Sequence, residues 1–250
     1  MDFFYTNSKY IKLSIPYMLK FKLMKQIIIY FYVLSTFIFS NTIYHIPIEG
    51  TIDLGLPPYI ERSIKEAEDN NAESIIFEVN TFGGRVDAAT QIKDAILDSK
   101  IPTIAFINKR AISAGALISL SCEKIFMASG ATIGATTAVD MSGNKASEKV
   151  ISYMREEMAA TAEKRGRNKF IARGMVDEEL EFPSKVKKEY VSENGDTDTI
   201  KTIIHFLIIE NDTIYVDDIE GRKQGNLITL TTDQSLKYKI ADYSADTFSD

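Results

Sequence analysis

From Ile43 onward, short runs rich in β-branched residues alternate with segments that carry apolar residues at helical spacing. Ser74–Val79 and Thr103–Ile107 have the composition of buried strands, and Val86–Leu97 between them has the spacing of a helix with one apolar face. A helix that connects two strands in this way crosses over on one face of a parallel sheet. The sequence therefore predicts an α/β fold, with ligands expected beyond the carboxyl ends of the strands.

The composition narrows the class of protein further. The chain has 250 residues, of which 45% are hydrophobic, enough for one sizeable core. The single cysteine, Cys122, cannot form an intramolecular disulfide, and the two histidines, His45 and His205, lack the spacing of metal ligands. The net charge is −6, and the residues after position 25 carry −10 because the first 25 contain five lysines and one aspartate. We therefore expect no metal, no cofactor and no nucleic-acid partner.

Residues 27–39 form an uncharged apolar run that follows a basic stretch and precedes polar residues. This layout is typical of a secretion signal, whereas a membrane-spanning helix needs about 20 apolar residues. An uncleaved signal anchor stays open as an alternative, because Ile38 is not the small residue that signal peptidase prefers. Met24 is a natural start, which would leave residues 1–23 as an upstream extension. We expect residues 1–40 to lie outside the fold and the body to be membrane-associated and extracytoplasmic.

Residues 185–226 interrupt the α/β pattern. Ile203–Ile209 and Thr213–Val216 flank a short polar turn, which predicts a β-hairpin inserted into a domain formed by residues 43–184 with 227–245. A segment that binds a partner or lies on a membrane is the alternative.

Two glycines, Gly83 and Gly84, stand between a predicted strand and a predicted helix. Paired glycines let backbone N–H groups turn toward an anion, although a tight turn alone explains the pair as well.

Ser113 begins a helix of small residues after another predicted strand. A serine at this position is commonly a helix cap. It also suits a nucleophile, because the N-terminal end of a helix stabilises developing negative charge. In that case the N–H groups of Ala114 and of Gly83 or Gly84 would form an oxyanion hole, and Ala114 and Gly115 would leave space for a substrate chain.

A serine nucleophile needs a base, and neither histidine is placed convincingly for that role. Lysine is the usual substitute, and it accepts a proton only when burial lowers its pKa from about 10.4 by about 3. Lys149 opens the long predicted helix Glu148–Arg165 and is followed by Val150 and Ile151, so we expect it to project into the interior. An ordinary surface lysine is the alternative.

A third stretch of small residues, 128–136, follows the strand 124–128. Small side chains would keep a groove open, and the backbone would pair with an extended peptide by strand addition; a packed turn is the alternative. The candidate substrate-binding residues are Gly115, Gly130, Ile133 and Gly134.

Taken in order, six motifs resemble those of the NfeD family of membrane-associated serine proteases, in the ClpP/crotonase superfamily. They are GGRVDAA, RAISAGALISL, IFMASGATIGA, SEKVISYMREEMAATAEKRGRN, MVD and LITLTTDQSLKYKIAD. The resemblance implies an α/β, ClpP/crotonase-like repeated β-β-α core with an inserted hairpin, and a homo-oligomer. It also implies a serine endopeptidase that cleaves hydrophobic segments of membrane proteins such as stomatin-like partners. In that family the nucleophile falls on Ser113, the base on Lys149, and the oxyanion-hole glycines on Gly83 and Gly84.

One residue departs from the family pattern: Lys239 stands where relatives have the glycine that ends a helix. A lysine in a left-handed conformation would cost about 1 kcal/mol there. Two other functions stay open at this point. A crotonase-like acyl-CoA enzyme would use the same oxyanion hole without a serine nucleophile, and a catalytically silent membrane scaffold would use neither.

Overall fold

The computed structural model describes residues 21–22, 24–30, 42–139, 144–178, 184–193, 196–209, 212–215 and 226–247. The chain divides into two compact units, Met1–Asn41 and Thr42–Asp250. In the first unit the described residues are helical, and most of the predicted signal run, 31–39, lies outside the described residues. None of the helices described is long and apolar enough to cross a membrane.

The second unit is built on a parallel sheet. The strands along its path are β1 Ile43–Ile52, β2 Ser74–Gly84, β3 Thr103–Ile112, β4 Lys124–Met127 and β10 Tyr243–Ser244. They lie side by side in this order, and every neighbouring pair is parallel. The parallel sheet predicted from the strand and helix alternation is thereby confirmed.

The helices predicted at Val86, Ser113 and Glu148 begin at those residues or one residue later, because apolar spacing and terminal residues mark them well. They are α1 Leu56–Asp69, α2 Val86–Leu97, α3 Ala114–Ser121, α4 Glu148–Lys164, α5 Lys169–Gly174 and α6 Thr232–Lys237. All eight residues of α3 are buried, so this helix forms the centre of the core. Burying each large apolar side chain in that core stabilises the fold by about 1.5–3 kcal/mol.

Strands β2 and β3 run five residues past their predicted ends at Val79 and Ile107. The extension of β2 stays paired with β1, and the register between β2 and β3 shifts after Val79. The end of β3 pairs in parallel with β5 (Thr132–Gly134), which pairs on its other edge with the antiparallel strand β9 (Thr229–Thr231). Backbone pairing of both strands continues through polar residues, so a prediction based on the apolar runs alone ends the strands too early.

The backbone of the predicted insertion forms three antiparallel strands. These are β6 Ser184–Glu193, β7 Asp196–Ile209 and β8 Asp212–Tyr215, in the order β6, β7, β8. The two segments predicted as a hairpin fall within or overlap β7 and β8, and β6 is an additional strand. The chain then returns to the main sheet with β9 and β10.

Candidate active site

Ser113 lies between β3 and α3, and its backbone is strained. Its φ of 56° and ψ of −117° are values that cost a non-glycine residue about 1–3 kcal/mol. Two hydrogen bonds hold this conformation: the Ser113 N–H donates to the carbonyl of Gly134 at 3.0 Å, and the Ser113 carbonyl accepts from the N–H of Ala116 at 2.9 Å. The Ser113 hydroxyl does not cap the helix. The capping alternative therefore does not apply to this serine.

Gly83 lies against Ser113 so closely that no side chain fits between them. A Cβ on Gly83 would stand 2.6 Å from the Ser113 Cβ and 3.0 Å from its hydroxyl oxygen. Gly83 has a φ of 107°, in the region that favours glycine. Its N–H donates to the Thr81 hydroxyl at 2.9 Å, so the Gly83 N–H already has a partner.

A small cleft of about 50 Å³ opens beside Ser113; we call it the serine cleft. Its lining residues come from the end of β2, from α2, from Ser113 and the start of α3, from the segment after β5 and from α4: Gly84, Val86, Ala89, Ser113, Ala114, Thr136, Thr137, Ala138, Val139 and Met154. Three predicted site residues therefore meet here: Ser113, Ala114 and Gly84. Sequence reasoning missed Thr137, Val139 and Met154, because no local motif ties them to the serine.

Lys149 lines a separate, wider cleft of about 850 Å³, which we call the lysine cleft. It shares Val86 with the serine cleft, and its other lining residues are Arg85, Asp87, Thr90, Gln91, Val150 and Tyr153. Lys149 itself is exposed. The expectation that it projects into the interior is wrong for this chain, because the buried stripe of α4 begins at Ile151, about 200° further round the helix.

In the lysine cleft, the carboxylate of Asp87 forms an ion pair with Arg85 and not with Lys149. Arg85 donates to both carboxylate oxygens of Asp87, at 2.9 and 2.7 Å. This hydrogen bonding lowers the pKa of the Asp87 carboxyl. Within the described part of the chain Lys149 makes no ion pair.

None of the four candidate substrate-binding residues lines the serine cleft. A Cβ on Gly115 would meet the Thr81 methyl carbon at 2.6 Å, so this glycine serves packing and leaves no space for a substrate chain. Gly130 lies in an exposed turn, while Ile133 and Gly134 are buried in β5. Both edges of β5 are paired, so strand addition by a peptide at residues 132–134 is excluded in this conformation. The residues just after β5 line the cleft instead.

Cys122 is unsuited to nucleophilic chemistry. It is fully buried, and burial raises the pKa of its thiol to about 12. A thiol that stays protonated is a poor nucleophile. Ser113 is therefore the better candidate in this region of the fold.

Comparisons with known proteins identify the family of this chain. Residues 42–200 match the family model for the N-terminal domain of NfeD1b. The chain is 34% identical over 211 residues to the membrane protein NfeD1b of Bacillus subtilis, covering 84% of this chain and 45% of the relative. It is 31% identical over 177 residues to the membrane-bound protease PH1510 of Pyrococcus horikoshii, covering 68% of this chain and 40% of the relative. The chain thus spans less than half the length of these relatives.

Solved structures extend the comparison to the fold. The 1510-N membrane-bound stomatin-specific protease, as a lysine-to-alanine variant in complex with a substrate peptide, is 26% identical, with a TM-score of 0.61 over 85% of this chain and 78% of that one. A serine-to-alanine variant gives 26% identity and a TM-score of 0.59 over 84% and 82%. ClpP1 from Listeria monocytogenes, at 17% identity, a TM-score of 0.53 and coverage of 82% and 92%, shares the fold. The predicted ClpP-like α/β core is confirmed, and the chain belongs to the NfeD1b N-terminal domain family.

Proposed function

We propose that this protein is a serine endopeptidase in which Ser113 is the nucleophile and Lys149 the general base. The observation that carries the proposal is the strained serine at the start of a buried helix, with its hydroxyl not used as a cap and with Gly83 pressed against it. Strained backbone of this kind clusters at active sites. The related 1510-N protease has been solved as a serine variant and as a lysine variant, the latter with a substrate peptide, which supports a dyad of these two residue types.

The oxyanion hole is assigned to the N–H groups of Ala114 and Gly84. Both residues line the serine cleft, and Ala114 is the first residue of α3, where the helix dipole favours negative charge. Gly84 is preferred to Gly83 because the Gly83 N–H donates to Thr81. Gly83 then serves to let the β2 backbone approach Ser113.

The chemistry needs the amine of Lys149 to be neutral when it receives the proton of the Ser113 hydroxyl. The serine oxygen attacks the peptide carbonyl, and the proton passes from Lys149 to the leaving amine as the C–N bond breaks. Water then hydrolyses the acyl-enzyme. A peptide that fills the lysine cleft would displace water from the amine, since Val86, Val150 and Tyr153 supply apolar walls there.

Hydrophobic segments of membrane-associated proteins are the substrates that these apolar walls fit best. The 1510-N relative is described as stomatin-specific and the Bacillus relative as a membrane protein, which supports a stomatin-like partner and a membrane-associated body. We extend the proposal to an extracytoplasmic body attached through residues 27–39, with residues 185–226 as an insertion. A homo-oligomer would cover Val139 and Tyr153, whose large apolar side chains are exposed in the single chain.

The proposal is tested by incubating the purified protein with a hydrophobic peptide and comparing wild type with Ser113→Ala and Lys149→Ala. Lys164→Ala, an exposed lysine at the other end of α4, is the matched control. Wild type and the control should cleave, and both dyad variants should lose cleavage. Equal cleavage by all four proteins would end the proposal. Thioester turnover that survives Ser113→Ala would point to the acyl-CoA alternative instead.

A further inference from the structure

A third cleft opens where α4 and α6 end; we call it the basic cleft. It has a volume of about 370 Å³, and its lining residues are Arg165, Gly166, Arg167, Leu236, Lys239, Ala241, Asp242 and Tyr243. It shares no lining residue with the serine cleft or the lysine cleft. The proposed peptidase chemistry therefore assigns it no role.

The basic cleft is positively charged, although the body of the chain is acidic. Its lining residues include three cations, Arg165, Arg167 and Lys239, and one carboxylate, Asp242, which leaves a charge of +2. That carboxylate is already shared, since it accepts hydrogen bonds from Arg167 and from Lys124 at 3.0 Å each. The positive charge is therefore not balanced by the lining residues themselves.

Arg165 has unused hydrogen-bond donors. Its Nε donates to the Ser121 carbonyl at 2.7 Å, and its two terminal nitrogens make no hydrogen bond within the described part of the chain. The nearest described carboxylate oxygen, on Glu123, lies 3.9 Å from Nη1, which is too far for a hydrogen bond. Guanidinium N–H groups suit phosphate and carboxylate oxygens.

Cations at helix C-termini also offset the helix dipole, a role that needs no ligand. In α4 and α6 a lysine in the last turn already supplies this charge, Lys164 and Lys237 respectively. Neither of these lysines lines the basic cleft. The cations of the cleft are therefore additional to those that the two helix ends require.

Lys239 occupies a backbone conformation that favours glycine, with a φ of 57°. The residue is exposed, so packing in the core does not explain its side chain. Strained backbone of this kind clusters at ligand sites. A lysine in such a conformation beside two arginines indicates that the cleft binds an anion.

We propose that the basic cleft binds a phosphate monoester. This group carries a charge of about −1.5 to −2 at pH 7, which matches the +2 of the lining, whereas a carboxylate or a phosphodiester carries a single negative charge. Arg165 and Lys239 donate to its oxygens. Arg167, whose N–H groups donate to the protein, contributes its charge. Soluble phosphate monoesters and phosphatidic acid share this chemistry, and the test separates them.

The test measures thermal unfolding of the full chain in 50 mM glycerol phosphate, against sodium chloride of the same ionic strength. With a Kd of about 10 mM the ligand raises the folded-to-unfolded ratio about sixfold, which raises Tm by about 2–4 °C. Lys239→Gly should lose at least half of this shift. Lys237→Gly is the matched control and should keep it, because it also replaces a lysine by glycine but outside the cleft.

A second pair of variants removes the other donor. Arg165→Gln should lose the shift, and Lys164→Gln, its neighbour outside the cleft, should keep it. Each variant is compared with itself without ligand, so a difference in basal stability does not enter. Any general effect of the salt is common to all five proteins.

The lipid source is tested by co-sedimentation with phosphatidylcholine vesicles that contain phosphatidic acid, with phosphatidylglycerol, a phosphodiester, as the control lipid. A Tm shift that depends on Lys239 and Arg165 supports a soluble ligand, and sedimentation with the same dependence supports the lipid. Equal responses of wild type, Lys239→Gly and Arg165→Gln to both probes would overturn the proposal, as would no response of the wild type to either. The peptidase assay is unaffected by these outcomes, so the proposed function stands or fails separately.

Discussion

A Cβ added to Gly83 would stand 2.6 Å from the Cβ of Ser113, so the end of β2 and the start of α3 are in contact at a point that only glycine permits. This contact fixes the distance between the strand that carries the proposed oxyanion donor and the proposed nucleophile. The contact and the positive φ of Gly83 explain why the first residue of the pair is glycine, and the second is glycine because a Cβ on Gly84 would stand 2.1 Å from the Ile52 carbonyl oxygen.

Gly83→Ala should therefore displace Ser113 and lower kcat/KM by at least about tenfold, since a shift of about 1 Å at a reacting group costs up to about 100-fold. The measurement is peptide cleavage together with urea unfolding. Gly130→Ala is the matched control, because Gly130 also has a positive φ but nothing lies within 4 Å of its added Cβ. The control should lose about 1 kcal/mol of stability and keep its activity. Equal losses of activity in the two variants would contradict this explanation.

Two adjacent threonines at the serine cleft differ in how their hydroxyls are satisfied. The Thr137 hydroxyl donates to the Val176 carbonyl at 2.6 Å. The Thr136 hydroxyl is buried and has no hydrogen-bond partner among the described residues. A buried hydroxyl without a partner costs about 1–3 kcal/mol.

Thr136→Val should therefore raise the free energy of unfolding by about 1 kcal/mol, whereas Thr137→Val should lower it by about 1 kcal/mol. The two substitutions are identical in shape and adjacent in sequence, so urea denaturation of the pair isolates the hydrogen bond. Destabilisation of similar size in both variants would show that the Thr136 hydroxyl has a partner in solution.

The buried thiol of Cys122 predicts a loss of stability at high pH. Burial raises its pKa from 9.0 to about 12. Between these values the unfolded chain releases the thiol proton while the folded chain keeps it. The stability that the protonated thiol contributes is therefore fully present below about pH 9 and declines as pH rises toward 12. At pH 10 the loss is about 1 kcal/mol.

The check is urea unfolding of wild type and Cys122→Ala at pH 7 and pH 10. The difference in unfolding free energy between the two proteins should change by about 1 kcal/mol between the two pH values. Other groups titrate in this range too, but they are common to both proteins and cancel. A difference that is the same at both pH values would contradict a protonated, buried thiol.

The sequence predicts the helices and strands of this fold better than the contacts between them. The bounds of α2 and the start of α4 follow from apolar spacing, which is local information. The serine cleft is different, because Ser113, Thr136 and Met154 come together only when α4 and the segment after β5 pack on α3. The position of Lys149 illustrates the same limit: apolar neighbours in sequence did not decide which side of α4 faces the core.

The triplet Gly166-Arg167-Asn168 shows what a sequence motif conceals. In the sequence it is only the end of the motif that begins at Ser147. In the structure the Arg167 guanidinium is buried and donates to the carbonyls of Cys122 and Ile240 at 3.1 and 2.9 Å, and the Asn168 side chain caps α5. The motif thus connects the end of α3 with the segment before β10 and begins α5, a role that requires long-range contacts to be seen.

Lys239 adopts the left-handed conformation that its position after α6 requires, with a φ of 57°. A glycine there avoids the steric cost of a side chain, so Lys239→Gly should stabilise the protein by up to about 1 kcal/mol. Lys237→Gly is the control: it places the same residue two positions earlier, inside the helix, where glycine costs about 1 kcal/mol. Thermal unfolding should therefore shift in opposite directions for the two variants. Destabilisation by both would mean that contacts of the Lys239 side chain outweigh its backbone strain.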